Sequence, residues 1–166
     1  MRENQYDPHG STDEPPEFLE LRNPVQPYCY IMGALKNPNC QVHAMTLRQA
    51  FPEWGVFDDW QAAHPKADDE WKAYESARGR TYQEALRCPA AQNVFQFDKQ
   101  HLDLSTHGLL ILPSGISAHL ELGYLRGREC RTAILLTGDH DRWDVMYAFA
   151  DIVTDDLMEV IEAWNG

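Results

Sequence analysis

The residues of this chain best placed to do chemistry lie in one stretch, LLILPSGISAHLELGY, from Leu109 to Tyr124. A continuous apolar run ends in Pro-Ser-Gly, and a helical pattern then begins that carries one acid, Glu121. Backbone N–H groups at a helix start point outward with positive partial charge, so this turn favours an anion. The hydroxyls of Ser114 and Ser117 can donate to the same anion. The same field stabilises a carboxylate in the first turns, so Glu121 is expected to be ionised at neutral pH. An acid here can be simple dipole compensation, but Glu121 is flanked by Leu120 and Leu122 and followed by Gly123. An apolar setting with room for close backbone approach argues for a site. Asp58 and Asp59, at the end of FDDW, are a second acidic pair. Cys40-x-x-His43 has the spacing of half a metal site, but no second pair follows, so no metal and no cofactor are expected.

These residues need elements to hold them. YCYIMGAL (28–35), EWGVFDDW, THGLLILP and RTAILLTG read as buried strands, and ADIV ends in a short fifth one. Between them, Asn39 is expected to cap a helix through Ala50, and Thr154 to cap a closing helix carrying Leu157, Val160, Ile161 and Trp164 on one face. Residues 61–93 are polar with scattered aromatics and are expected to form a helical lid over the carboxyl edge of the sheet. Strands alternating with helices predict a parallel sheet with helices on both faces, in the flavodoxin-like order 2-1-3-4-5. Ligands of such sheets bind where the winding reverses, between the first and third strands. That point collects MGALKN, FDDW and PSGISAHLE.

The 166 residues suit one domain over 25–166, preceded by a flexible polar tail over 1–24. The net charge of −12, with no block of Lys and Arg, argues against a nucleic-acid partner. No apolar run approaches the ~20 residues that span a bilayer. The N-terminus lacks the apolar core of a secretory signal, and the four cysteines have irregular spacing, so reduced thiols and a cytoplasmic location are expected.

YIMGAL, Asp98 in FQFDKQHLDLSTHGLLILP, and SGISAHLELGY together resemble the nucleoside 2-deoxyribosyltransferase superfamily, which includes the nucleotide N-glycosidases. The likeness covers residues 28 to about 137, and its most specific element is ELGY after a buried strand and a small-residue turn. It implies a flavodoxin-like subunit working as a homodimer or higher oligomer on a small-molecule nucleoside or nucleotide. It further implies cleavage of the N-glycosidic bond, by hydrolysis or base exchange. Glu121 matches the nucleophile that attacks the anomeric carbon, Asp98 the acid that protonates the leaving base, and Tyr30 the residue that orients the nucleophile. Ser114 and Ser117 match hydroxyls that hold a 5′-phosphate, and Asp144 lies in DRWDVM, the segment that reaches a neighbouring subunit's pocket. Gly115 stands where many transferases carry a second acid, which favours a hydrolase. Gly33 accompanies Tyr30 in the first-strand pattern. Asp58 or Asp59 can hold ribose or base, or cap the lid helices. Trp60, Trp71 and Tyr74 can stack on a base or form lid core.

The chemistry agrees with this reading. An oxocarbenium-like sugar needs an anion under the anomeric carbon and a proton on the base, and two carboxyl groups in unlike environments can divide those roles. Asp98, preceded by Phe95 and Phe97, is expected to be the drier group with the raised pKa. His119 and Asp103 are further candidates for the site, and Trp143 and Met146 for an interface. Two other functions fit the same residues: a non-catalytic nucleotide-binding or sensing module, and an NAD-type glycohydrolase.

Overall fold

The structure, a computed structural model, describes residues 26–62, 66–138 and 143–166. The expected tail over 1–24 and residues 63–65 of the expected lid lie outside these. Five parallel strands, β1 (Tyr28–Met32), β2 (Gly55–Phe57), β3 (His107–Ile111), β4 (Arg131–Leu135) and β5 (Ile152–Thr154), form one sheet in the order β2-β1-β3-β4-β5. The fold is the flavodoxin-like α/β architecture. The register pairs Tyr30 with Phe57 on one side and with Gly108 on the other. β3 is buried along its whole length, as a central parallel strand covered on both faces must be.

Alternate strand residues feed two cores. Cys29, Ile31, Leu109, Ile111, Ala133 and Leu135 face α1 (Asn39–Ala50) and the closing helix, α6 (Leu157–Asn165). Tyr30, Met32, Phe57, Leu110 and Ile134 face α4 (Pro89–Leu104) and α5 (Ile116–Gly127). Tyr30 therefore lies on the same side of the sheet as the helices that carry Asp98 and Glu121. The expected stripe of Leu157, Val160, Ile161 and Trp164 is the buried face of α6.

Neither expected cap stands where it was placed: Pro38 occupies the N-cap position of α1 without a side-chain cap, and the cap of α6 is two residues on. Asn39 is already inside α1, and its backbone N–H donates to Asn37 Oδ1 at 3.0 Å. Asp156, not Thr154, caps α6 by accepting from Met158 N at 2.8 Å, while Thr154 ends β5 and accepts from Asp156 N. The insertion is also shorter than expected. It comprises a 3₁₀ turn at Asp59–Ala62, α2 (Ala67–Ala77) and α3 (Tyr82–Ala85), and α4 begins at Pro89, within the expected lid range. Pro at a first helical position costs no hydrogen bond, which explains the early start. A capping box between Thr81 and Glu84 starts α3, and Arg80 pairs with the buried Glu75 at 2.6 Å to tie α3 to α2. No helix among the described residues is long and apolar enough to cross a membrane.

Candidate functional site

The loops after β1 and β3 meet at the carboxyl edge. Asn37, nearly buried, donates its Nδ2 to the Pro113 carbonyl at 3.1 Å, while its Oδ1 starts α1. This bridge fixes the turn Pro113–Gly115 from which α5 departs. α5 has Gly115 at its N-cap, and Ser117 is exposed in its first turn. Half-buried Ser114 lies with its Oγ 3.5 Å from His119 Nδ1. His119 Nδ1 is 2.8 Å from the Gly115 carbonyl, which only accepts, so Nδ1 carries the proton. Nε2 then accepts from the Tyr147 hydroxyl at 3.1 Å. Tyr147 belongs to the 3₁₀ turn Val145–Phe149, so His119 pins the segment after β4 against the start of α5.

Glu121 is the sixth residue of α5, beyond its first turn. The dipole's influence has faded there, and burial dominates. Loss of water, with Asp98's charge as the second cause, pushes the Glu121 carboxyl up to about 8. This overturns the expectation of a carboxylate held ionised by the helix start. Asp98 follows the expected direction: burial raises it to about 6, although Phe95 and Phe97 beside it are both exposed. Tyr30 is only 1% exposed, and its hydroxyl is held well above the usual phenol range, by burial first and then by Glu121 and Asp98. β1, α4 and α5 thus bring Tyr30, Asp98 and Glu121 into one electrostatically coupled group. No hydrogen bond of the Tyr30 hydroxyl is present among the described residues.

Glu121 faces space. An open depression of about 230 Å³ between α4 and α5 is lined by Phe95, Lys99, Leu102, Leu120, Glu121 and Tyr124. All six lie within FQFDKQHLDLSTHGLLILP and SGISAHLELGY, but of them only Glu121 carried an expected site role. Their signal in the sequence is the spacing i, i+4, i+7 of Phe95, Lys99 and Leu102, which puts one stripe of α4 on the groove. Lys99 Nζ donates to Asp103 Oδ2 at 2.6 Å and to the Tyr124 hydroxyl at 3.3 Å, and Tyr124 donates to Asp103 Oδ1 at 2.5 Å. Asp103 is thereby a member of the groove's polar network.

Other expected site residues have structural partners instead. Buried Asp58 is ion-paired with Arg48 of α1. Trp60 donates its indole N–H to the Ile31 carbonyl at 2.7 Å and packs against both cores, so its ring is not a free stacking surface. Asp59 is exposed, and its charge is felt at Tyr28, whose hydroxyl is pushed up to about 12 by burial first and then by Asp59. Asp144 accepts from Met146 N at 3.0 Å and so caps its own turn. Trp71 packs edge-on against Tyr82 within the insertion, and Tyr74 lies under the Arg78 guanidinium.

Gly33 has a packing reason: a Cβ there would come within 2.2 Å of Cys40 Sγ. Gly33→Ala is expected to destabilise the fold by on the order of 1–3 kcal/mol, as overpacking does. Adding Cys40→Ala should recover part of that loss, and a chemical-denaturation double-mutant cycle reads the coupling. Strict additivity would show that the two residues do not compete for this space. Cys40 itself is buried, which raises its thiol to about 11, and all four cysteines are unpaired. Among the described residues no group of three or more His, Cys, Asp and Glu side chains is arranged to hold a metal. In comparison with known proteins, no family model matches the chain, and no curated protein matches it.

Proposed function

We propose that the chain is an enzyme that cleaves the N-glycosidic bond of a nucleoside or nucleoside 5′-monophosphate. The observation that carries the reading is the coupled group of Tyr30, Asp98 and Glu121, set on three separate elements, with Glu121 among the residues that line a largely apolar depression. Glu121 attacks C1′ from the groove. Asp98 delivers a proton to the departing base. Tyr30, coupled to both carboxyls, orients Glu121 once substrate is bound. In the free subunit the pair's proton rests mainly on Glu121, since that group has the higher pKa. Positive charge developing on the sugar favours the reverse arrangement, with Glu121 ionised and Asp98 protonated, which is the one the reaction needs.

The turn Ser114–Ser117 is offered to the 5′-phosphate, roughly 9 Å along the axis of α5 from Glu121 to Gly115 at 1.5 Å per residue. Gly115 leaves no second acid there, which favours water over a base as acceptor. Exposed Ile116, Leu120, Trp143 and Val145 support assembly into a homodimer or higher oligomer, and a cytoplasmic location completes the proposal. The test is incubation with a panel of nucleosides and their 5′-monophosphates, with and without a second base, followed by chromatography. Free base alone is the expected product. A new nucleoside would indicate base exchange, and no release from any member would defeat the reading.

A further inference from the structure

The two carboxyl groups of the candidate site have no fastenings of their own. Among the described residues neither Asp98 nor Glu121 makes a hydrogen bond or an ion pair. Each therefore stands where its helix puts it. α5 is seated firmly, with Ala118, Leu122 and Leu125 buried around Glu121. α4 has far less apolar grip, since Leu102 is its one buried side chain. The place of Asp98 thus depends on whatever else holds α4 to the sheet.

That hold is an aromatic cluster one turn from Asp98. His101 follows Asp98 by three residues and so shares its side of the helix. Its ring stacks on Phe57 of β2, with centroids 3.8 Å and planes 12° apart, and stands edge-on to Phe97 at 5.0 Å. Phe57 in turn packs against Tyr30 at 4.9 Å. The Tyr28 hydroxyl and His101 Nδ1 are 2.7 Å apart. Burial, with Asp59 and Cys29 as lesser causes, pushes that hydroxyl up to about 12, so it keeps its proton and donates. Burial holds His101 below its ordinary value, against an opposing pull from Asp59, so the ring is neutral near neutrality and accepts through Nδ1. Among the described residues this is the one side-chain hydrogen bond between α4 and the sheet. Tyr28 and Tyr30 share a face of β1, so one row of side chains carries both this bond and the hydroxyl coupled to the two carboxyls.

We propose that Tyr28 and His101 are the positioning residues of the candidate acid: their hydrogen bond fixes the turn of α4 that carries Asp98, and with it the separation of Asp98 from Glu121. The role given to Asp98 rests on the glycosidase reading, whereas its placement does not. Without the bond, α4 keeps Leu102 and the ties of Arg128 to its far end, so the helix stays attached. The turn around Asp98 is then free to lift from the sheet. Water reaches a carboxyl that burial alone had raised, and its charge moves away from Glu121.

The test is an NMR titration of the Asp98 and Glu121 carboxyl groups in the full chain, run beside turnover of the panel of nucleosides and monophosphates. In the parent the two groups are expected to titrate near 6 and near 8. Tyr28→Phe, which keeps the ring and loses only the hydroxyl, should lower the Asp98 midpoint by about one pH unit or more, and the Glu121 midpoint with it. His101→Leu, which has no acceptor, should act in the same way. His101→Asn, whose amide oxygen can stand where Nδ1 stands, should keep both midpoints near those of the parent. Melting curves check that the variants are folded. In an active chain Tyr28→Phe should also lower kcat by roughly tenfold to hundredfold with KM little changed. Unmoved midpoints in folded Tyr28→Phe, or equal midpoints in His101→Asn and His101→Leu, overturn the proposal. So does an unchanged kcat in an active Tyr28→Phe chain. Moved midpoints in a chain that releases no base from any substrate would uphold the positioning and bring down the glycosidase reading alone.

Discussion

If Glu121 is the nucleophile proposed above, Glu121→Ala should abolish base release, by on the order of 10³-fold or more in kcat, while the walls of the groove remain. The same position gives a second readout that does not depend on knowing the substrate. The folded chain holds a proton on Glu121 up to about 8, whereas the unfolded chain releases it near 4.5. A raised acid binds more protons folded than unfolded, so its effect on stability is fully favourable below 4.5 and is lost as pH rises toward 8. Each pH unit above 4.5 costs about 1.4 kcal/mol, so the loss near neutrality is up to ~3 kcal/mol. Glu121→Gln, which has the same shape and no charge, should therefore melt several degrees higher than the parent at about pH 7.5 and at the same temperature near pH 4. A variant that is more stable and inactive is the signature of a carboxyl kept for chemistry at the expense of the fold. Equal melting at both pH values would mean that residue 121 is well solvated, and full turnover by Glu121→Ala would remove it from the mechanism.

Asp98→Asn should slow turnover by ~10²- to 10⁴-fold, the usual worth of a positioned general acid. It should also change the shape of the pH profile. With Asp98 near 6 and Glu121 near 8, the pair carries one proton between those limits. Activity needs one ionised and one protonated carboxyl, so kcat/KM should form a bell with limbs near 6 and 8, and these values belong to the pair rather than to either residue. In Asp98→Asn only one ionisation remains. The fall on the alkaline side should disappear. The rise should now follow Glu121 alone, at a lower pH than the Glu121 value of about 8, because the charge of Asp98 no longer opposes its ionisation. A profile that keeps both limbs in Asp98→Asn would assign the proton to another group. Substrates with activated leaving groups, which need no protonation, should lose less than ordinary nucleosides.

The sheet was legible because buried parallel strands must be apolar on both faces. HGLLI and RTAIL stand out for that reason, and the helical stretches between them permit few orders. The caps were less so. Asn39 is a good cap by residue type, but α1 already includes it and Pro38 stands at the N-cap position, while Asn37 accepts from the Asn39 N–H and crosses to Pro113. Glu121 could be found but its titration could not. The dipole argument needs α5 to begin after Ser117, but the helix already starts at Ile116, which leaves Glu121 beyond its first turn. Asp58 and Trp60 looked like site residues because their partners, Arg48 and the Ile31 carbonyl, lie on neighbouring elements that no local pattern announces. The groove was invisible for the same reason. Phe95 and Lys99 meet Leu120 and Tyr124 only when two helices, separated in sequence by a whole strand, lie side by side.

The hydrogen bonds of Arg128 to the tail of α4 act as a rivet at one end of a pair of tongs. The distance between the two helices is set there and is least free to vary. Farther from the fastening, toward Leu120 and Phe95, no hydrogen bond joins the two helices among the described residues, so their spacing is least constrained there.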